Sequence, residues 1–506
     1  SNAYNLRKPD SISGSWSGDI KVQIPSTGIS IDELSRLLRE RLGHETHVSG
    51  EVWRDGDRIA LTVRDGTSLA RTFEGKPSDL SLLMDKAADA LLRQTQPFVY
   101  VSLLAQRNDA HGIIALSRQL ILNGSASDRA LAYTYWANAL ANLGEDHAAI
   151  HPYARGIALA PGDPMSSFFA VNADIALDHG EAFAEHAAMA ARLFGTSAAR
   201  IYRPEALANA IPSANSMLAQ TQGDFANAAR NDAIAAQYAF SDYENIGALV
   251  TVADLARGHD PAAARAILAD HPDYTDGKAV VLLDFVGPQL PVSFIDADMG
   301  DWRGVLASLS SADRVALKSG TSNDARHTLI WPWLAYALAK TGNMAGARAL
   351  IAKTPLDCTR CLEYRGRIAA LARDYPRATD WYARASADAP SEPFAMTDWG
   401  QMLLAKGDYD GAIAKLETAN RIGPHFADPL EMWGEALIRK NRSDLALAKF
   451  AQAAKYAPNW GRLHMKWGEA LWWSGDHDGA RKQFAVAAQL ALILSEKTEL
   501  ARVSHG

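Results

Sequence analysis

Residues 399–416, WGQMLLAKGDYDGAIAKL, predict two short amphipathic helices joined by a tight turn. The same pattern returns at 433–450 and again at 467–484, within a chain of 506 residues. The evenly spaced glycines that mark the register are Gly366, Gly400, Gly434 and Gly468. Since a fixed period of this length marks a repeated structural unit, one helical hairpin is predicted to occur four times between residues 356 and 494.

Small and bulky residues keep fixed places within each unit. One place always holds an alanine (Ala378, Ala412, Ala446 and Ala480), and another holds a bulky residue (Tyr382, Leu416, Phe450 and Phe484). Two antiparallel helices approach closely only where a side chain is small, so Gly400 and Ala412 are predicted contact points. Gly407 is expected to end the first helix in the left-handed conformation, and Asp408 is expected to cap the second.

The repeated pattern resembles the tetratricopeptide repeat (TPR), which implies a mainly α fold: a TPR-type α-solenoid whose stacked hairpins form a concave surface. Four regular units are expected at 356–494, and a C-terminal cap and tail at 495–506. The last helix of the repeats is predicted to run from Asp478 to about Arg502. Turn signals such as Gly223-Asp224 and Gly300-Asp301 predict five to seven divergent hairpins of the same type over 98–355.

Residues 11–96 are predicted to form a small α/β domain in the order β-α-β-β-β-α, after a tag remnant and linker at 1–10. Asp55-Gly56-Asp57 predicts a hairpin turn between two alternating runs. The predicted strands are Ser15–Ile24, Thr46–Arg54, Arg58–Arg64 and Ser68–Phe73, and the predicted helices are Ile31–Leu42 and Asp79–Gln94.

The run from Val48 to Arg64, followed by residues 69–73 and a helix, resembles TolB-like and FlgO-like modules. Such modules precede TPR arrays in some membrane-anchored bacterial regulators and cyclases. This resemblance implies an extracytoplasmic sensory or assembly role, and a plain cap on the first repeat is the alternative interpretation.

Composition and motifs argue against several classes of function. A net charge of −7 without a stripe rich in lysine and arginine disfavours a nucleic-acid surface. The sequence contains no nucleophile elbow, phosphate-binding glycine loop or dinucleotide fingerprint. His44 and His47 are too close together for a His-Glu-x-x-His zinc motif and are more typical of surface residues. We therefore expect no enzyme activity, cofactor or metal.

The start of the chain suggests a location. Ser1-Asn2-Ala3 resembles the remnant of a cleaved tag, so the natural protein is expected to begin further upstream with a signal peptide or membrane anchor. This predicts a periplasmic protein, or one anchored in a membrane and facing the periplasm; the other location is cytoplasmic. No apolar run reaches the length that crosses a bilayer, so any membrane contact is expected through that upstream anchor.

Cys358 and Cys361 are the two cysteines of the chain. A zinc site needs a second pair of ligands at suitable spacing, and haem attachment needs a histidine after the second cysteine. The remaining interpretations are a structural disulfide at a helix start, two unpaired thiols, and a redox function.

The TPR resemblance also implies which side chains line the concave groove, since the family uses positions 2, 5, 9, 12 and 13 of each first helix. The residues at these positions, by unit, are Arg360, Glu363 and Arg367; Phe394, Thr397 and Gln401; Asp428, Glu431, Glu435 and Arg439; and Arg462, Met465, Glu469, Trp472 and Trp473. The lysine and asparagine residues of the family's carboxylate clamp are absent. Acidic and aromatic side chains instead favour a protein or peptide partner with basic and apolar groups.

Two functions of different classes follow from these features. The first is a non-enzymatic scaffold that binds a protein or peptide partner in the concave groove, outside the cytoplasm. The alternative is the periplasmic sensory portion of a membrane-anchored regulator, a transcription factor or cyclase, whose effector domain lies upstream.

Overall fold

The computed structural model describes residues 48–65, 70–238, 244–271, 291–319 and 323–504. The chain divides into two compact units, of which the first runs to residue 116 and takes in 201–203. The second comprises residues 117–200 and 204–506. The predicted strand Ser15–Ile24, the predicted helix Ile31–Leu42 and the pair His44 and His47 lie outside the described residues.

The first unit contains a three-stranded antiparallel sheet, β1 (Val48–Asp55), β2 (Arg58–Asp65) and β3 (Arg71–Gly75), in that order. Asp55 pairs with Arg58 across the predicted turn, where Gly56 has a φ of 56°. Alternate apolar residues of β2 pack against helix α1 (Leu80–Thr95) and bury Leu61 and Leu83. The alternation of β2 thus produces one covered face, as expected for a half-buried strand.

Helices fill the rest of the described chain, and most pack as sequential antiparallel hairpins. They are α2 (Pro97–Gln106), α3 (Ala110–Asn123), α4 (Ala126–Asn142), α5 (Asp146–Leu159), α6 (Pro164–Leu177), α7 (Gly180–Phe194), α8 (Pro204–Thr221), α9 (Phe225–Ala236), α10 (Glu244–Arg257), α11 (Pro261–Asp270), α12 (Pro291–Asp298), α13 (Trp302–Ser319), α14 (Trp331–Lys340), α15 (Met344–Ile351), α16 (Thr359–Leu371), α17 (Tyr375–Asp388), α18 (Phe394–Lys406), α19 (Tyr409–Ile422), α20 (Ala427–Arg439), α21 (Ser443–Ala453), α22 (Gly461–Ser474), α23 (His477–Gln489) and α24 (Leu494–Ser504). The predicted fold class is confirmed: a mainly α, TPR-type solenoid that also carries a small strand-containing part.

The marker glycines sit where the two helices of each regular hairpin touch. A Cβ on Gly366 would lie 2.5 Å from the ring of Tyr382, and one on Gly434 would lie 2.6 Å from the ring of Phe450. The alanines of the repeat are fully buried, as for Ala412. These close approaches explain why each regular unit has a glycine on its first helix and a bulky residue at the facing position of its second helix.

The tryptophans before the marker glycines are half-buried, and each of the first two carries a lysine on its outer face. The Nζ of Lys415 lies 3.4 Å from the ring centre of Trp399, and that of Lys449 lies 3.4 Å from the ring centre of Trp433. In the first regular unit Arg365 takes the place of Trp399, and Trp381 takes the place of Lys415. The cation is therefore on the first helix and the indole on the second, and the guanidinium lies over the ring. A cation–π contact therefore joins the two helices of three successive units.

The turns inside the regular hairpins have the predicted chemistry. Gly407 adopts a φ of 88°, and the side chain of Asp408 accepts a hydrogen bond from the N–H of Gly411. Asn441 takes the left-handed conformation in the third unit, with a φ of 59°. The sequence thus places both the helix stop and the helix start of these units.

The predicted continuous helix from Asp478 to about Arg502 is wrong. Helix α23 ends at Gln489, and α24 begins at Leu494 as a separate helix. Leu490 is extended, and the N–H of Ile493 donates to the carboxylate of Glu496, which caps the new helix. The break falls about one repeat period after the start of α22, so α24 occupies the place of the first helix of a fifth unit.

A seam joins two stretches of the second unit that are far apart in sequence. We call these contacts the seam. On one side are the upstream turns, at 178–181, 222–225, 258–260 and 300. On the other side are the starts of the downstream helices, at 358–360, 391–394, 423–428, 459–461 and 493. Asp224 caps one helix and also contacts the other side of the seam. Its Oδ1 accepts from the N–H of Asn227 and caps α9, while its Oδ2 lies 2.8 Å from Nδ1 of His425.

The same double use of a capping aspartate recurs along the seam. Oδ1 of Asp260 accepts from the N–H of Ala263 at 3.0 Å, and its Oδ2 accepts from the side-chain amide of Asn459 at 2.6 Å. At the first contact, the N–H of Thr359 donates to the carbonyl of Asp178 at 3.0 Å. The chain therefore returns onto itself, and the starts of the downstream helices lie against the upstream turns.

Candidate partner-binding groove

The groove residues predicted from the sequence lie on α16, α18, α20 and α22, and they differ in exposure. Glu363, Glu431 and Met465 are buried, whereas Gln401, Arg439 and Trp473 are exposed. Arg360, Arg367, Glu435, Glu469 and Trp472 are intermediate. Apart from the exposed Arg439, the charged members fall into two clusters.

The C-terminal cluster neutralises most of the acidic groove predicted for the third and fourth units. Arg462 forms ion pairs with Glu431 at 3.3 Å, with Glu435, and with Glu496 of α24 at 3.5 Å. Burial alone would lower the pKa of Arg462, but Glu431 and Glu435 raise it above its ordinary value. The guanidinium of Arg462 is therefore held permanently charged among these carboxylates.

Lys466 extends the same cluster. Its ammonium pairs with Glu469 at 3.2 Å and with Glu499 of α24 at 2.6 Å. Helix α24 also packs Leu500 against buried Met465. Arg462 and Lys466 thus hold the C-terminal helix in place, and they also pair with the acidic side chains of α20 and α22.

The central cluster lies around α16 and joins residues from five elements. Arg360 pairs with Asp178 at 3.2 Å, and Arg367 pairs with Asp398 at 2.5 Å. The guanidinium of Arg367 also lies 4.7 Å from the ring centre of Tyr364. The two arginine side chains remain 31% and 30% exposed, so water reaches this cluster.

Arg257, from the end of α10, belongs to the same cluster and was not anticipated from the sequence. Its guanidinium lies 4.0 Å from the ring centre of Phe225 and 5.6 Å from that of Phe394, and its ion pair is with Asp254 at 3.8 Å. Burial lowers the pKa of Arg257 below its ordinary value. The signal that could have identified it is its place at the C-terminal end of a first helix, the end that borders the groove.

Two glutamates of the central cluster have no counter-charge in contact. Among the described residues, neither Glu363 nor Glu392 has an ion pair within 4.0 Å or a side-chain hydrogen bond. Burial raises the pKa of Glu363 well above its ordinary value, and the neighbouring Asp398 adds to this shift. Burial likewise raises the pKa of Glu392 to about 8. Protons therefore occupy both groups more readily than ordinary carboxylates.

Trp472 and Trp473 point in different directions, as two neighbouring residues on one helix must. Trp472 packs beside Met465 and Leu500, and its ring meets that of His477 at 4.2 Å. Trp473 is 72% exposed. An indole left in water at the end of a groove helix is a typical anchor for a protein interface.

Cys358 and Cys361 are joined by a disulfide in the structure, and both residues are fully buried. Cys358 is the residue before α16, and its sulfur accepts from the N–H of Cys361. The bridge stands beside the seam, next to Thr359 and Arg360. Its place indicates that it rigidifies the helix start that docks on Asp178.

His259 is a second residue that the sequence did not single out. It adopts a left-handed φ of 61° in the turn after α10, and its ring stacks on Trp460 at 3.7 Å. Its Nδ1 lies 2.6 Å from Asp298 and its Nε2 lies 3.2 Å from Asp428. Burial alone would lower the pKa of His259, but Asp428 and Asp298 outweigh it and raise the pKa to about 10. The imidazolium therefore bridges the seam as a cation.

The described part of the chain contains no group of three or more histidine, cysteine, aspartate or glutamate residues arranged to hold a metal ion. Over those same residues, no helix has both the length and the apolar character that a bilayer crossing requires.

Comparison with protein-family models and with curated proteins finds no match. Among solved structures, MamA of strain AMB-1 is 23% identical over 32% of this chain and 98% of its own, with a TM-score of 0.26. PilF of Pseudomonas aeruginosa is 16% identical over 35% of this chain and 84% of its own, with a TM-score of 0.31. These likenesses concern the helical fold of about a third of the chain and carry no functional information. They give no support to the TolB-like and FlgO-like resemblance.

Proposed function

We propose that this chain is a non-enzymatic scaffold that captures a protein or peptide partner in the concave groove of its superhelix. The observation that carries the proposal is the exposed indole of Trp473 at the end of a groove helix. Solenoids of stacked hairpins present extended concave surfaces, and exposed tryptophan and arginine side chains anchor most protein interfaces. Trp473, Gln401 and Arg439 are the exposed groove positions available to such a partner.

The proposed partner carries apolar and basic groups. Its apolar part meets Trp473 and the accessible edge of Trp472. Its basic part meets the carboxyl groups that form no ion pair among the described residues, Glu363 and Glu392, rather than Glu431 and Glu435, which pair with Arg462.

Trp473→Ala is expected to weaken partner capture by about tenfold or more, because loss of an interface anchor costs about 2 kcal/mol. The melting temperature is expected to stay unchanged, since the side chain is exposed. The measurement is affinity capture from an extract of the source organism, with captured proteins quantified by mass spectrometry.

Trp53→Ala is the matched control, because Trp53 is a comparably exposed tryptophan, at 60%, on strand β1. Glu435 is unsuitable for this test because its loss would disturb the ion pair with Arg462. If the Trp473 and Trp53 variants captured equal amounts of partner, the groove around Trp473 would not be the binding surface.

We also propose that the chain functions outside the cytoplasm, in the periplasm or on a membrane anchor that faces it. The disulfide between Cys358 and Cys361 supports this location, because such bridges persist in oxidising compartments. The test is to denature the natural protein in the presence of a maleimide reagent, which labels free thiols. We expect Cys358 and Cys361 to be labelled only if the protein is reduced first. Labelling without reduction would argue for the cytoplasm.

A further inference from the structure

We propose that the first unit binds the phosphate group of a small organic molecule in a cleft formed by strand β3 and helices α1 and α2. The cleft has a volume of about 460 Å³. This lies in the size range of small-molecule sites in proteins, about 300–1,000 Å³. The inference goes beyond the proposed groove function, because it concerns the other unit of the chain. The residues that line the cleft are Arg71, Thr72, Phe73, Lys86, Asp89, Ala90, Arg93 and Tyr100.

Strand β3 brings one cation and one aromatic ring to the cleft. Phe73 lies opposite Leu61 of β2. Arg71 lies opposite Val63. Since these two β2 residues pack against α1, Arg71 and Phe73 lie on the sheet face that α1 covers. Phe73 packs against the small apolar core there, whereas Arg71 is exposed.

Helices α1 and α2 supply the other lining residues. Lys86, Asp89 and Arg93 follow one another at spacings of three and four residues, so their side chains lie along one side of α1. Ala90, on the same side, is buried and small. Tyr100 of α2 adds a phenol ring that is neither fully buried nor fully exposed. The cleft thus combines charged and aromatic groups from three elements.

Positive charge is in excess in this cleft. The carboxylate in its wall, Asp89, is already held by Arg107, whose two terminal nitrogens lie 2.6 and 3.1 Å from the two carboxylate oxygens. Three cationic side chains, those of Arg71, Lys86 and Arg93, line the cleft beside it. Within the part of the chain that the structure describes, neither Arg71 nor Lys86 has an ion pair or a side-chain hydrogen bond. An added anion would balance this charge, in a chain whose net charge is −7.

The lining groups indicate the chemistry of that anion. Arginine presents a planar fork of N–H donors that matches phosphate oxygens, and lysine adds a point charge. A dianionic phosphate balances several cations better than a single carboxylate does. The cleft has room for more than a phosphate ion, and Phe73 and Tyr100 offer ring surfaces to an attached organic part. The ligand that fits best is therefore a small organic phosphate.

Isothermal titration of the full chain with phenyl phosphate, benzoate and inorganic phosphate tests the site. We would titrate at about pH 8, where a phosphate ester with a second pKa of about 6 is ionised, and in about 150 mM salt, where distant surface charges are largely screened. Saturable binding of one equivalent of phenyl phosphate is expected. Arg71→Gln and Lys86→Gln are each expected to weaken it about tenfold, because a charge-assisted hydrogen bond is lost. Both residues are exposed, so the variants are expected to fold.

Arg64→Gln is the matched control, since it makes the same chemical change and the same change in net charge at an exposed position of β2. Arg64 follows Val63 in the strand, so its side chain lies on the opposite face of the sheet from the cleft. Equal affinity in all three variants, or no saturable binding to the wild-type chain, would overturn the site.

The three probes separate the features of the ligand. Tighter binding of phenyl phosphate than of benzoate supports the phosphate group, and equal or tighter binding of benzoate would overturn that assignment. Tighter binding of phenyl phosphate than of inorganic phosphate supports the organic part, and equal binding would overturn it.

The outcome is separable from that of the proposed function. Trp473 belongs to the second unit, so Trp473→Ala is expected to bind phenyl phosphate as the wild-type chain does. Likewise, Arg71→Gln is expected to capture the protein partner normally. Failure of either proposal therefore leaves the other standing.

Discussion

His259→Ala is expected to lower the free energy of unfolding by about 3 kcal/mol at pH 6, a large part of the stability of an ordinary domain. The imidazolium lies between Asp298 and Asp428 at 2.6 and 3.2 Å, and its side chain is only 16% exposed. Removal of the cation leaves two carboxylates facing each other across the seam. Loss of the stacked contact with Trp460 adds to the cost.

The loss is expected to depend on pH in a defined direction. The pKa of His259 rises from 6.5 to about 10 on folding, so its stabilisation is full below pH 6.5 and disappears as the pH rises through 10. Urea titrations of the wild-type and variant chains should therefore differ most at pH 6, and above pH 10 the difference should shrink to the part that the stacking on Trp460 contributes at every pH. His425→Ala is the control, because His425 meets one aspartate and its side chain is 52% exposed. A difference that grows with pH would contradict the bridge.

Gly434→Ala is expected to cost about 2 kcal/mol despite the higher helix propensity of alanine. The added Cβ would lie 2.6 Å from both Cε1 and Cζ of Phe450, whose side chain is fully buried and has no room to retreat. The two helices of the third unit must separate to accept it. Equilibrium denaturation in urea measures this loss.

Gly162→Ala is the matched control for this prediction, because a Cβ there meets no heavy atom within 4 Å. This variant should be as stable as the wild-type chain or slightly more stable, since alanine narrows the unfolded ensemble. Equal destabilisation by the two substitutions would mean that the marker glycines serve flexibility rather than close helix contact.

The repeats could be predicted because their contacts are local and periodic. Gly434 and Phe450 belong to the same hairpin, and the same pair of places holds a small and a bulky residue in every regular unit. The turn chemistry of Gly407 and Asp408 is equally local. The lysines that cover Trp399 and Trp433 share this periodicity and could have been found in the same way.

The seam could not be predicted because its contacts join residues that are distant in sequence, and the period of the downstream repeats does not say which upstream turn each helix start meets. Asp224 contacts His425 from a turn that lies several hairpins upstream, and nothing in the sequence around Asp224 marks it as more than a helix cap. The same applies to His259, which the sequence presents as an ordinary turn residue. Only the curvature of the stacked hairpins brings these groups together.

The sequence predicts which positions line the groove but not the charge that the groove presents. Its positions follow the repeat, but their charge state depends on neighbours from other units and from α24. The break at 490–493 was missed because Leu490, Ala491 and Leu492 favour helix. The period itself gave the missing signal, since another first helix is due one period after the start of α22. With that helix in place, Glu496 and Glu499 reach Arg462 and Lys466.

The seam is the feature on which the described fold of the second unit depends, because it joins the upstream turns to the starts of the regular helices. Amide hydrogen exchange at the start of α16 tests it most directly. First-turn amides of a helix have no partner inside the helix and exchange rapidly when they face water. In this chain the N–H groups of Thr359 and Arg360 donate to Asp178 at 3.0 and 2.5 Å.

We therefore expect slow exchange at Thr359 and Arg360, and fast exchange at Ser443, which begins α21 away from the seam. Asp178→Ala should accelerate the exchange of Arg360 and leave Ser443 unchanged. Exchange of Thr359 and Arg360 as fast as that of Ser443 in the wild-type chain would contradict the seam.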